Sequence, residues 1–242
     1  MTVLKRLRWN DIILPLVVVA AAFTFGVYVI RNPMDNMVAN YLTPKLVTTA
    51  LRRHFYLITI SSLLAICTSV PLGVILTRPA FKKLTPFVVG FVNICQTVPS
   101  LAVIALFVGI LGIGSRTAIF ALWIYSLLPI LNNTIAGIGS VDPAIIDSAR
   151  GMGMTKFKIL GNVELPLALP VIMAGIRTAV VINVATAVIA AYVGGGGLGD
   201  IIIAGKNINR WQAWSLGAIF ATCIALVFDH ILGVVERILT EQ

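Results

Sequence analysis

The chain has 242 residues, of which 59% are hydrophobic and 11% charged, with a mean hydropathy of +1.00 and a net charge of +9. A soluble domain carries about 25% charged residues, so a water-soluble globule is excluded and a bilayer-embedded chain is implied. The Lys and Arg residues are scattered through short connections instead of forming one face, which argues against nucleic acid as a partner and for cations flanking membrane helices.

A membrane-crossing helix needs roughly 20 mostly apolar residues. The first such run, 12–30, follows the basic opening "KRLRW" and resembles a secretory leader, with Ala20-Ala21-Ala22 as a cleavage site. The run continues to Ile30, however, giving about 28 Å of helix, and an uncleaved first span is expected. Five more spans are predicted over 54–77, 86–112, 117–139, 167–193 and 213–235, with long connections only at 31–53 and 140–166.

Within these spans the polar residues single themselves out. Gln96, Pro99 and Ser100 fall near the middle of the third, Tyr125, Ser126 and Pro129 in the fourth, and Asn183 in the fifth. Pro99 and Pro129 each withhold a backbone donor, from the carbonyls of Cys95 and Tyr125 respectively. Irregular backbone at bilayer depth is tolerated where it faces protein or a water-filled cavity. Gln96, Pro99, Ser100, Tyr125, Ser126 and Asn183 are therefore candidates for a polar path, with packing between helices as the competing role.

Two charges lie inside spans. Arg177 sits about 15 Å into the fifth and Asp229 about 9 Å from the end of the sixth. An ionisable group at such depth costs at least ~2.5–3.5 kcal/mol, and the two are expected to pair and hold these helices together. Cys67, Cys95 and Cys223 lie in apolar runs, and His54 and His230 form no motif with them. No catalytic or metal-ligating set is legible.

The 140–166 connection differs from everything around it. Asp142-Pro143 is a strong helix start, because Asp accepts from free backbone N–H groups and Pro suits the first helical position. Gly151 and Gly153 suit a left-handed helix end, and Thr155 suits the cap of a second short helix running to Val163. A compact helix-turn-helix against the membrane surface is expected, with apolar Ile145, Ile146, Ala149, Met152 and Met154 beside charged Asp147, Arg150, Lys156 and Lys158.

These residues carry a resemblance. Permease subunits of ABC importers have a pattern of Glu-Ala-Ala, three residues, Gly, nine residues, Ile-x-Leu-Pro. Here the chain reads Asp147-Ser148-Ala149, three residues, Gly153, nine residues, Val163-Glu164-Leu165-Pro166. "QTVPSLA", "YSLLPILNNT", "GMGMTKFKIL", "VELPLALPVIMAGIRTA" and "GGGGLGD" are similar to the permeases for glycine betaine, carnitine and choline. The resemblance implies an all-α membrane protein with about six transmembrane helices. Its core would be the five-helix, MetI-like type I importer fold over 54–242, and its first helix and outer connection, 1–53, an addition. It also implies that Asp147, Ser148, Ala149, Arg150, Gly151, Met152, Gly153, Met154 and Thr155, within the 141–166 segment, dock into a cytoplasmic ATPase subunit. That subunit would bind ATP and Mg, with no cofactor in this chain. An extracytoplasmic solute-binding protein and a second permease copy or sister permease complete the implied partners.

Gly194 to Gly199 formally satisfies a dinucleotide fingerprint, but a membrane span precedes it where a βαβ unit would be needed. A flexible outer turn before the short apolar run Ile201–Ala204 is the expected structure. With the N-terminus inside, the inner connections hold Lys5, Arg6, Arg8, Arg78, Lys82, Lys83, Arg150, Lys156, Lys158 and Arg237. The outer ones hold Arg31, Lys45, Arg52, Arg53, Arg116, Lys206 and Arg210. That bias places both termini and the insert in the cytoplasm of an inner-membrane, multi-pass chain. Three rivals remain. One is an ABC permease for another small solute, such as an amino acid or amine. An ATP-independent transporter would need inverted repeats, and an intramembrane enzyme a polar cluster at one depth; neither feature is legible.

Overall fold

The computed structural model describes residues 9–240, whose regular structure is helical throughout. Lys5, Arg6 and Arg8 lie outside the described residues. Five continuous helices are long and apolar enough to cross a bilayer, and a sixth crossing is made by two helices bent by 99°.

Helix α1 (Trp9–Arg31) is followed by the short α2 (Asn36–Tyr41), capped by Asp35, whose carboxylate accepts from the Val38 N–H at 2.8 Å. Helix α3 (Pro44–Leu76) starts at a Thr43 cap with Pro44 at its first position. It thus begins ten residues before the expected span, and residues 44–53, assigned from the sequence to an outer connection, are its first turns. Their Thr, Lys and Arg side chains lower the local hydropathy without weakening the helix, because that surface sits at the membrane edge.

The third predicted span is two helices, α4 (Thr85–Thr97) and α5 (Ser100–Leu111), separated by extended Val98 and Pro99. The residue before a proline is driven out of the helical region, so the chain turns there instead of kinking. Helix α6 (Ser115–Gly139) then runs parallel to α3. Ser69 donates to the Leu127 carbonyl at 3.3 Å, Trp123 donates to Thr68 at 3.0 Å, and the backbone of Gly73 lies against Thr134. Two parallel consecutive spans require a return crossing between them, and the bent pair supplies it.

Helix α7 (Pro143–Gly151) and a single turn, α8 (Lys156–Ile159), follow. The second arm of the expected helix-turn-helix does not stop at the membrane. It passes through a π-helical turn, Leu160–Glu164, directly into α9 (Leu165–Thr186), making one apolar helical stretch from Lys156 to Val193. The wide turn lies just before Pro166 and absorbs its missing N–H without ending the helix.

Helix α9 is antiparallel to α6: an added methyl at Gly175 would lie 2.8 Å from the Pro129 carbonyl oxygen, and one at Gly137 3.0 Å from that of Ala168. A 3-10 stretch (Ala187–Val193) leads to α10 (Leu198–Asn207) and then α11 (Trp211–Thr240). The glycine run between is packed, contrary to the flexible turn expected. Gly196 and Gly197 adopt φ of 82° and 99°, and a side chain at either would strike Arg53 or His54. Closely approached backbone of that hand admits only glycine.

Helix α1 runs back along α11. Gln212 donates to the Asn32 carbonyl and accepts from the Met34 N–H at one end, while Arg237 pairs with Asp11 at the other. Both described ends of the chain therefore lie at the same face as α7 and as the 77–84 turn. The main apolar core joins α3, α6 and α9 to the α10–α11 corner, with Leu57, Ile58, Leu122, Leu198 and Leu216 fully buried.

Candidate functional site

The insert presents a projecting tip. Asp142 accepts from the Ala144 N–H at 2.8 Å and fixes the start of α7. Its end is closed by Gly153 at φ 78°: the Gly153 N–H reaches the Arg150 carbonyl at 2.9 Å, and the Met154 N–H reaches that of Ala149 at 3.1 Å. This pair of bonds satisfies the last helical carbonyls. Gly153 alone supplies the left-handed residue, whereas Gly151 stays within the helix. Thr155 then accepts from the Lys158 N–H at 3.4 Å.

Of the nine residues expected at the docking tip, only Ala149 is buried, and Met154 is half-buried. Asp147, Ser148, Arg150, Gly151, Met152, Gly153 and Thr155 are exposed, as is the neighbouring Phe157 at 87%. Asp147 and Arg150 pair with each other at 2.8 Å on the open surface, where such a pair contributes under about 1 kcal/mol. Large apolar side chains held out beside charges, on a stiff glycine-closed turn, are what a partner's groove could grip.

The base of the insert is anchored by a contact that sequence reasoning missed. Arg78, just past the end of α3, meets Glu164 in the π turn through two bonds, 2.6 and 3.2 Å long. Glu164 is buried at 6% exposure, and the bidentate geometry ties the root of the insert to a neighbouring span. In the sequence Glu164 stands out only as a charge two residues before Pro166, and nothing there names Arg78 as its partner.

The polar candidates at bilayer depth divide in two. Gln96 donates from Nε2 to the Tyr125 carbonyl at 3.0 Å, and the Tyr125 hydroxyl donates to the Val98 carbonyl. Gln96, Pro99, Ser100 and Tyr125 are thus gathered around the α4–α5 break, on which Val98 and Pro99 remain exposed. Ser126 and Asn183 are not part of that group. Ser126 is fully buried and bonds within its own helix to Leu122. Asn183, also fully buried, donates to Ser61 at 2.7 Å and Ser62 at 2.9 Å, clamping α9 to α3. Both side chains bond to neighbouring helix atoms within the packed interior, and the Asn183 Oδ1 is buried there without a partner among the described residues.

Arg177 and Asp229 meet through two bonds of 2.6 and 2.8 Å. Glu236, which the sequence did not suggest, lies 3.7 Å from the same guanidinium, and Gly233 leaves room for it. The group holds α9 to α11 and borders a recess of about 410 Å³.

A helical bundle of this topology, with a broken crossing and a membrane-face insert, is the fold of an ABC importer's membrane subunit. It superposes on the inward-facing MetNI methionine ABC transporter with a TM-score of 0.73 at 22% identity, covering 81% of this chain and 97% of that one. An amino acid ABC transporter gives 0.68 at 20% identity, covering 85% and 99%. The chain belongs to the family described as binding-protein-dependent transport system inner membrane component, which matches residues 69–241. It is 46% identical over 189 residues to the glycine betaine/carnitine/choline transport system permease protein OpuCB of Bacillus subtilis, covering 78% of this chain and 86% of that protein. The carnitine transport permease protein OpuCB of Listeria monocytogenes is 46% identical, with coverages of 78% and 86%. The osmoprotectant import permease protein OsmY of Salmonella typhimurium is 42% identical, with coverages of 75% and 77%.

Proposed function

We propose that this permease carries a compatible solute such as glycine betaine, carnitine or choline into the cell, driven by ATP hydrolysed on a separate subunit. The supporting observation is 46% identity across 86% of the length of relatives named for these solutes. The face carrying both described chain ends, the 77–84 turn and the insert is taken as the cytoplasmic one, on the sequence count of ten Lys and Arg in the inner connections against seven in the outer; Lys5, Arg6 and Arg8, which precede the described residues, make the difference.

The exposed α7–α8 tip is the handle for a cytoplasmic ATPase that binds ATP and Mg, through Asp147 to Thr155. Movement of the tip is delivered to the membrane because α8 and the π turn continue into α9 and Arg78 locks their root. The α4–α5 break lines the solute path together with a second copy or a sister permease. Its extended backbone is exposed at bilayer depth, where lipid offers no hydrogen-bond partner. An extracytoplasmic binding protein delivers the solute to the opposite face.

Uptake of radiolabelled betaine, carnitine and choline by cells expressing the complete transporter tests this function. Deletion of Ala149–Gly153 should abolish uptake while the permease remains in the membrane at normal abundance. ATP-driven uptake at the unmodified rate by that deletion would remove the coupling role. Uptake of an amino acid or a different amine, with none of the three solutes, would reassign the substrate while leaving the coupling intact.

A further inference from the structure

Helix α1 lies outside the matched family segment, and its packing is one-sided. It is fastened at both ends to α11, by Gln212 at the outer end and by Arg237 at the inner end. Midway, Gly26 lets the Phe220 ring come within 2.7 Å of where a side chain would start. Between α1 and α3 the wall stays open. Two recesses of about 230 and 320 Å³ follow one another along this seam and share Phe23, Leu51 and Phe220.

The polarity of the seam is ordered along the membrane normal. From Val19 upward its walls are apolar: the Cys223 thiol is turned to the Val18 carbonyl, and Thr48, the hydroxyl on the upper wall, is spent on the Pro44 and Lys45 carbonyls. Arg31 stands at the mouth, exposed and without an ion pair among the described residues. From Val19 to Arg31 the helix rises about 18 Å, close to the roughly 15 Å depth of one hydrocarbon leaflet. A cation at the interface above a hydrocarbon slot one leaflet deep is complementary to one molecule class.

We propose that the α1–α3 seam is a binding site for a membrane phospholipid, one acyl chain lying in the slot and its phosphate paired with Arg31. The added helix then builds a lipid site against the permease core, and the lipid fills apolar space that no side chain occupies. This assignment stands apart from the identity of the transported solute.

Retained phospholipid is the readout. The intact transporter is purified in mild detergent, washed, and its bound phospholipid measured per permease. The unmodified protein should retain phospholipid. Arg31→Gln should lower retention about fivefold, the upper range for one exposed ion pair, and Val27→Trp, which fills the upper slot, should abolish it. Arg116→Gln, an exposed cation on the same face away from the seam, should leave it unchanged. Because Arg31→Gln keeps the helix and its fastenings, its outcome does not depend on Val27→Trp folding normally. Equal retention by all variants would overturn the proposal, as would a photocrosslinker at position 27 that captures a second protein chain instead of lipid.

Discussion

The side-chain amide of Gln96 donates at 3.0 Å to the Tyr125 carbonyl, the one that Pro129, four residues on, leaves without its helical donor. The same Tyr125 returns a bond from its hydroxyl to Val98, at the break between α4 and α5. One residue thus closes an orphan acceptor in α6 while its partner closes one in the broken crossing. Replacing Gln96 by Ala leaves a carbonyl unpaired in an apolar setting, which costs about 1–3 kcal/mol. Gln96→Ala should lower the melting temperature and reduce uptake severely. Gln96→Glu replaces the donating amide with a carboxylate and should fare no better. A melting temperature equal to that of the unmodified protein in both variants would detach Gln96 from this role.

The Arg177, Asp229 and Glu236 group predicts an asymmetry. Removing Asp229 leaves Arg177 with Glu236, 3.7 Å away and able to close in. Removing Arg177 takes the guanidinium away from Asp229, which then lies beside a second acidic residue, Glu236, at the same recess. Insertion of an unpaired charge near a helix centre costs roughly 2.5–3.5 kcal/mol, so Arg177→Gln should reduce folded protein in the membrane more than Asp229→Asn does. The double variant should recover part of the Arg177→Gln loss. Additive effects in that cycle would mean the pair contributes nothing as a pair.

Much of this architecture was legible in composition and spacing, and the failures share a physical cause. Hydropathy reports whether a segment prefers lipid and says nothing about its direction, so 86–112 read as one span although Val98-Pro99 divides it. The proline carried the signal, since the residue before it avoids helix. The same blindness shortened α3, whose polar first turns are announced by Thr43-Pro44 and not by hydropathy. The insert's tip was readable because caps and glycines act locally. Its root was not, because the Arg78–Glu164 bond joins residues 86 positions apart. The packed glycine run defeated expectation for a related reason: glycine signals either freedom or close approach, and only the tertiary neighbours Arg53 and His54 decide which.

At the outer face, Asp35 accepts from the Val38 N–H and lies 2.5 Å from Arg210, whose loop leads into α11. The Val38 amide above all, with Arg210 adding to it, holds the Asp35 carboxyl below the ordinary aspartate range, against a smaller opposing effect of burial. A depressed folded value means stability that is present at neutral pH and is lost as pH falls through it. Thermal unfolding in detergent should therefore separate Asp35→Asn from the unmodified protein at pH 7, and the gap should close in strong acid. A gap that widens on acidification would contradict the assignment.

Gly153 isolates the insert from the bundle. It sits at φ 78°, yet an added methyl would meet nothing within 4 Å. Any penalty for a side chain is thus conformational, about 1–2 kcal/mol for an ordinary L-residue in the left-handed region. Asn tolerates that region better than Val, because its short polar side chain bonds locally while a branched Cβ crowds the carbonyl. Gly153→Asn should retain more uptake than Gly153→Ala, and Gly153→Val least, with bundle melting temperatures nearly equal across the three. The turn projects away from the membrane core, so its distortion should re-aim Met152 without loosening the packing of α6 on α9. If uptake fell only in step with melting temperature, the glycine would be serving stability, and the shape of the tip would carry no coupling.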